Sequence, residues 1–369
     1  MVSVFSPSAI ARDTTTVQTI PPIYFYIPKR YWASVEFPQH PQEYWAWQNI
    51  NPAKYQWGMY NWTLQTYLYL KADGLPCSLV QEMPSEGIVI SHKDFLPDHA
   101  IPNRNTLLIC IQGDKTEHPY AQLHVVQNLQ DQQWKERPTL WDSYYMPHWI
   151  QSSLIPRNPE RGDRFENIVY MGDAVNLAPE LRDPSFSKAL EEMGLRWRVV
   201  GRDGWNDYSE IDAIVAVRSF TSLSSYRVKP ALKLCNAWHA GVPAILGQEP
   251  AFQAERKGDL DYLEVTSLED VLTALQVLRD DVELRQAIVS NGRIRARATN
   301  EMQLTQRWRQ FLTHLASPMY ERWCNQPEWQ RQIFLQRRSL VLKQARFRNR
   351  SQSFFKKFGS HQATEQCPP

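Results

Sequence analysis

Lys229, Lys233 and Asn236 fall at i, i+4 and i+7 on one face of a helix predicted between Pro230 and Gly241. Proline suits the first helical turn, glycine suits the C-cap, and Pro243 stops any continuation. Ala231, Leu234, Cys235 and Trp238 form the apolar face. Two ammonium groups and an amide thus line up near a helix N-terminus, whose free N–H groups favour an anion. The preceding loop adds hydroxyls from Ser222, Ser224, Ser225 and Tyr226, flanked by Arg218 and Arg227. Arg218 directly follows a predicted strand, and Arg202 follows Gly201 at the end of another. Gly172, after the first strand of the same unit, would let backbone approach a ligand closely. Gly172, Arg202, Arg218, Ser224, Lys229, Lys233 and Asn236 together suit a diphosphate, bound through charge-assisted hydrogen bonds. No metal-binding Asp-x-Asp pattern is read here, so no metal is expected to share the work.

A second group of residues suits proton transfer. Gly87 to Ile90 reads as a strand that delivers Ser91-His92-Lys93-Asp94 to its C-terminal end, where open α/β sheets place ligands. His92 is the expected general base, since imidazole near neutral pH suits removal of a hydroxyl proton. Asp94 is the second candidate and Asp114 a fallback. A reaction that retains configuration would need no protein base. Patterns for dinucleotide, P-loop, zincin and serine-hydrolase sites are absent.

The run Lys229-Pro230, Lys233-Leu234, Asn236-Ala237 and Ala240-Gly241-Val242-Pro243 resembles the nucleotide-sugar-binding segment of GT-B glycosyltransferases. The likeness continues through Asp261-Tyr262-Leu263, the Ser267 to Leu278 helix and the Trp308 helix. It covers roughly the C-terminal half, similar to family 1 and family 4 enzymes. The Glu-rich loop of many retaining members is missing. The resemblance implies two Rossmann-like α/β domains with parallel sheets facing a central cleft. It implies metal-independent transfer from a nucleotide sugar, a substrate rather than a cofactor, to a glycan or lipid-linked acceptor. A silent nucleotide-sugar or glycan-binding module and a nucleotide-sugar epimerase are the alternatives on the same scaffold.

The whole chain fits this reading. Its 369 residues allow two domains with real cores, and 43% hydrophobic with 22% charged residues is ordinary for a globular protein. Five scattered cysteines suggest free thiols in a reducing cytosol. The first twenty residues show no signal-peptide pattern, and no apolar run suits a membrane span. A cytoplasmic location is expected, with a possible place on the inner face of the membrane. Charge is uneven: residues before Glu328 sum to −5, and those from Glu328 onward to +7. The acidic body argues against nucleic acid. The basic, aromatic tail suggests an anionic membrane surface as a partner.

Read in order, residues 1–20 are a disordered N-terminus and 21–150 an acceptor-side Rossmann-like domain. Its aromatic stretch, 31–62, could stack on sugar rings. Residues 130–160 read as the interdomain linker, and 151–315 as the nucleotide-sugar-binding domain. Residues 316–330 are a helix crossing back to the first domain, and 331–369 a basic amphipathic or disordered tail.

Overall fold

The computed structural model describes residues 20–32, 36–129, 142–221, 226 and 228–340. The 1–19 part of the N-terminus and residues 341–369 of the tail therefore lie outside the described residues.

The first sheet has six parallel strands, β1 (Ile23–Tyr26), β2 (Cys77–Val80), β3 (Gly87–His92), β4 (Thr106–Ile111), β5 (Leu123–Val126) and β6 (Asp142–Tyr145). Their order is β2-β1-β3-β4-β5-β6. β3, β4 and β5 are buried along their whole length, which is why they read as apolar runs without alternation. β6 falls inside the stretch read as linker: Asp142-Ser143-Tyr144-Tyr145 has weak strand character and sits at the sheet edge.

The second sheet has five parallel strands, β7 (Asn167–Met171), β8 (Arg196–Val200), β9 (Ala213–Ala216), β10 (Ala244–Gly247) and β11 (Leu263–Val265), ordered β11-β10-β9-β7-β8. Both sheets reverse direction of growth between their first and third strands. Such a switch point opens a crevice at the carboxyl ends of the strands, where α/β proteins bind ligands.

The aromatics of 31–62 mostly build the first core rather than a sugar platform. Tyr44, Trp47, Tyr55 and Tyr60 are buried, and Trp47 stacks on Tyr55 with centroids 4.4 Å apart. The short helix Tyr44–Ile50 turns Tyr44, Trp47 and Gln48 inward. Trp57 alone among these tryptophans stays half exposed, at the mouth of the cleft described below.

The return to the first domain begins earlier than residue 316. Leu304 and Trp308 of the helix Glu301–Gln310, with Phe311, Leu312 and Ala316, are part of the first core. By packing, the second domain ends near Ala296, which still sits against its own core. Trp323 then donates its indole N–H to the Asn103 carbonyl at 2.9 Å. A further helix at 328–340 follows, and its Arg338 donates to the Ala121 carbonyl at 2.6 Å.

Candidate functional site

A cleft of about 500 Å³ runs between the two sheets' carboxyl ends. His92, Asp94, Gly172, Arg202, Arg218, Lys229, Lys233 and Asn236 all line it. Ser224, with its neighbours Ser222 and Ser225, lies outside the described residues.

The helix that organises the second-domain wall is Leu232–Ala240, beginning two residues later than Pro230 suggests. Ala231 is its N-cap and offers no side-chain oxygen, so the first N–H groups have no side-chain cap. Gly241 closes it at φ 71°, the left-handed C-cap its sequence position called for. Lys229 sits just before the helix and Lys233 in its first turn, and both still face the cleft. The Lys233 ammonium lies 5.1 Å from the centre of the Tyr170 ring. Burial, with Arg218 adding repulsion, lowers its pKa to about 7, against the pull of Glu249.

Arg218 leaves β9 and forms an ion pair with Glu249, whose side chain is almost wholly buried. Burial raises the Glu249 pKa, with Arg218 and Lys233 working the other way. Arg202 pairs instead with Asp173 at 2.8 Å and lies 5.5 Å from the Trp205 ring. Gly172 is explained locally: a Cβ there would meet the Tyr170 ring at 2.9 Å. The Tyr170 hydroxyl, Arg218 Nε and Glu249 Oε1 are buried and have no protein partner among the described residues. Polar atoms so placed are costly unless something pairs with them.

Asn236 is more committed than the spacing suggested. Its Oδ1 accepts the Gln151 backbone N–H at 3.0 Å, tying this wall to the segment that joins the domains. Ser153 in that same segment has φ 52°, the only positive value outside glycine among the described residues.

The opposite wall carries His92, Asp94 and Asp114. His92 is 3% exposed, and burial lowers its pKa to about 4 against the pull of Asp94 and Asp114. Its Nδ1 accepts the Asp94 backbone N–H at 3.1 Å. The neutral ring therefore carries its proton on Nε2, which makes that nitrogen a donor. This geometry argues against the general-base role expected of His92. Nε2 lies against Gly113, where an added Cβ would collide with it. Asp94 is about one-third exposed, with Lys115 3.4 Å away.

Asp114, the fallback base, reaches across the cleft to Lys229 at 2.6 Å. Burial works to raise its pKa, but the bond to Lys229 and the field of Lys115 hold it below the ordinary value. Gln127 also crosses, donating to the Val228 carbonyl at 3.0 Å. With its strand-end loops facing each other across a ligand-sized cleft, the molecule has the expected two-domain α/β architecture.

The triplet Asp259-Leu260-Asp261 has the letters of a metal motif but is structural. Asp261 accepts the Lys257 and Gly258 N–H groups and pairs with Arg295 at 3.0 Å. Glu249, Asp173, Tyr170 and Gln127 were not singled out from the sequence. Glu249, six residues from Pro243 and before Pro250, gave no motif signal; its role emerges only from the ion pair.

No family model matches the chain, and no curated protein does. Among solved structures it is similar to Anabaena HepE in complex with UDP-glucose, at 11% identity and a TM-score of 0.44, covering 80% of this chain and 100% of that one. Sucrose-phosphate synthase from Thermosynechococcus elongatus gives 13% identity and a TM-score of 0.43, covering 63% and 74%. A chain of the GtfA/B complex gives 13% and 0.41, covering 68% of this chain and 60% of that one. Overlap this loose assigns no chemistry, and the architecture rests on the two sheets and the cleft described above.

Proposed function

We propose that the protein is a glycosyltransferase that moves a sugar from a nucleoside-diphosphate donor to a glycan or lipid-linked acceptor, without a metal. The observation that carries this reading is the convergence of Arg218, Lys229 and Lys233 on an uncapped helix start. Three cations and free N–H groups suit two phosphates. Tyr170 and Glu249 leave polar atoms there for further contacts. His92 then donates from Nε2 to a hydroxyl of the bound sugar, and Asp94 is the remaining side chain of the expected pair able to accept an acceptor proton.

A catalytically silent binding module on the same architecture is the second reading. The neutral, donor-only geometry of His92 favours it, because the imidazole expected to act as base holds its proton on Nε2. Calorimetry with UDP, GDP and UMP, followed by donor hydrolysis and transfer assays, separates the two. Binding with turnover supports the enzyme; binding without turnover across an acceptor panel supports the module. No binding of any nucleoside diphosphate overturns both. A cytoplasmic location goes with this reading, since the cysteines described are free thiols.

A further inference from the structure

The helix at 328–340 has two faces with different fates. Inward, Arg331 and Arg338 are 4% and 2% exposed, Phe334 packs on Trp323 with centroids 5.2 Å apart, and the Arg338 guanidinium lies 4.1 Å from the Phe334 ring centre. These contacts fix the rotation of the helix on the first domain. Outward, Trp329, Ile333 and Leu340 are 62%, 41% and 58% exposed. Together with Gln336 they sit at i, i+4, i+7 and i+11, a single stripe. A tryptophan, an isoleucine and a leucine aligned in water are costly for solubility and mark an interaction face.

Charge identifies the partner. Arg337 borders the stripe, and Arg104 and Arg322 are exposed nearby, on elements joined to it through Trp323 and Asn103. The neighbouring acids include Glu321, Glu328 and Asp142; Arg331 and Gln332 already bond Glu328, and Asp142 faces Arg338. After residue 340 the sequence continues for 29 residues with six Lys/Arg, one acid, and Phe347, Phe354, Phe355 and Phe358. Cations interleaved with aromatics suit anionic headgroups over an acyl boundary. A second copy would bring a like-charged segment to the same place. No helix among the described residues is long and apolar enough to cross a membrane, so the contact would be peripheral.

We propose that the Trp329–Ile333–Leu340 face docks the protein on an anionic bilayer, drawn there by the net positive charge of the sequence from Glu328 onward. This is independent of what the cleft binds. The test is co-sedimentation of the full chain with vesicles of phosphatidylcholine alone or with about 30% phosphatidylglycerol, at low salt and at about 0.5 M salt. The expected result is binding to the anionic vesicles only, released by salt. The triple variant Trp329→Ser, Ile333→Ser, Leu340→Ser should lower partition about tenfold or more, with an unchanged thermal midpoint. Gln336→Glu, a milder change at an exposed position, should lower it severalfold and serves if the triple variant does not fold. Three results overturn the proposal. They are indifference of the native chain to anionic vesicles, full binding by both variants, and a native dimer that the triple variant turns into a monomer.

Discussion

Asp114 and Lys229 come from different domains and meet across the cleft at 2.6 Å. The pair occupies one of the three cations that a diphosphate would use. A ligand arriving there has to break it, or be helped by its loss. Asp114→Asn should therefore tighten UDP or GDP binding about two- to tenfold, and more at low salt, because the exposed pair is screened. Lys229→Ala should weaken it about 10- to 100-fold, the equivalent of one charged hydrogen bond. Equal affinities in calorimetry for both variants and the native chain would remove the diphosphate from this wall.

Lys233 gives a proton-linkage test. Its folded pKa is lowered to about 7 from the usual 10.5. Between those values the unfolded chain binds more protons than the folded one, so its contribution makes stability rise with pH in that window. An anion beside the ammonium restores the charge. Nucleoside-diphosphate binding at pH 8–9 should therefore take up a proton, read as a buffer-dependent calorimetric enthalpy, and affinity should fall as pH rises above about 7. Lys233→Met should remove the proton uptake and weaken binding about tenfold or more, while raising the thermal midpoint.

His92 makes the opposite kind of prediction. Burial lowers its pKa to about 4, so any transfer activity should show no His92 ionisation between pH 5.5 and 8. His92→Gln keeps a side-chain donor and should retain more turnover than His92→Ala. Gly113→Ala should mimic the loss, since its Cβ would strike Nε2 and its φ is +60°. Bare nucleotide binding should survive in all three. A bell-shaped profile with a limb near pH 6.5 that vanishes in His92→Ala would restore the general base.

Trp308 tests the domain boundary. It is fully buried in the first core although its neighbours in sequence up to Ala296 belong to the second. Trp308→Ala should cost about 3–5 kcal/mol. Differential scanning calorimetry should show the loss in the transition of the first domain, with the second little changed.

The second domain was largely legible because several of its strands, such as β7 and β10, are short apolar runs next to Gly or Pro, and Gly241 caps its central helix. The cleft-facing residues were legible for the same reason: strand ends announce themselves. The first domain was harder. Its aromatics looked alike whether buried, as Trp47 is, or at the cleft mouth, as Trp57 is. Nothing in Asp142-Ser143-Tyr144-Tyr145 announces an edge strand, because it is mostly half-buried and pairs on one side only. The roles of His92 and Asn236 turned on partners that spacing cannot supply: one backbone N–H from Asp94 and one from Gln151.

The chain passes between the two cores twice, once between Trp149 and Leu154 and again between Ala296 and Leu304. A body held by one strand of chain can swivel freely; one held at two separated points turns most easily about the line joining them. The two lobes should thus turn about the line through these crossings, and the Asp114–Lys229, Gln127–Val228 and Gln56–Arg202 contacts are the latches between them. Cutting the chain at either crossing would leave the lobes attached yet free to twist, a separation of hinge from latch that a single nicked sample could reveal.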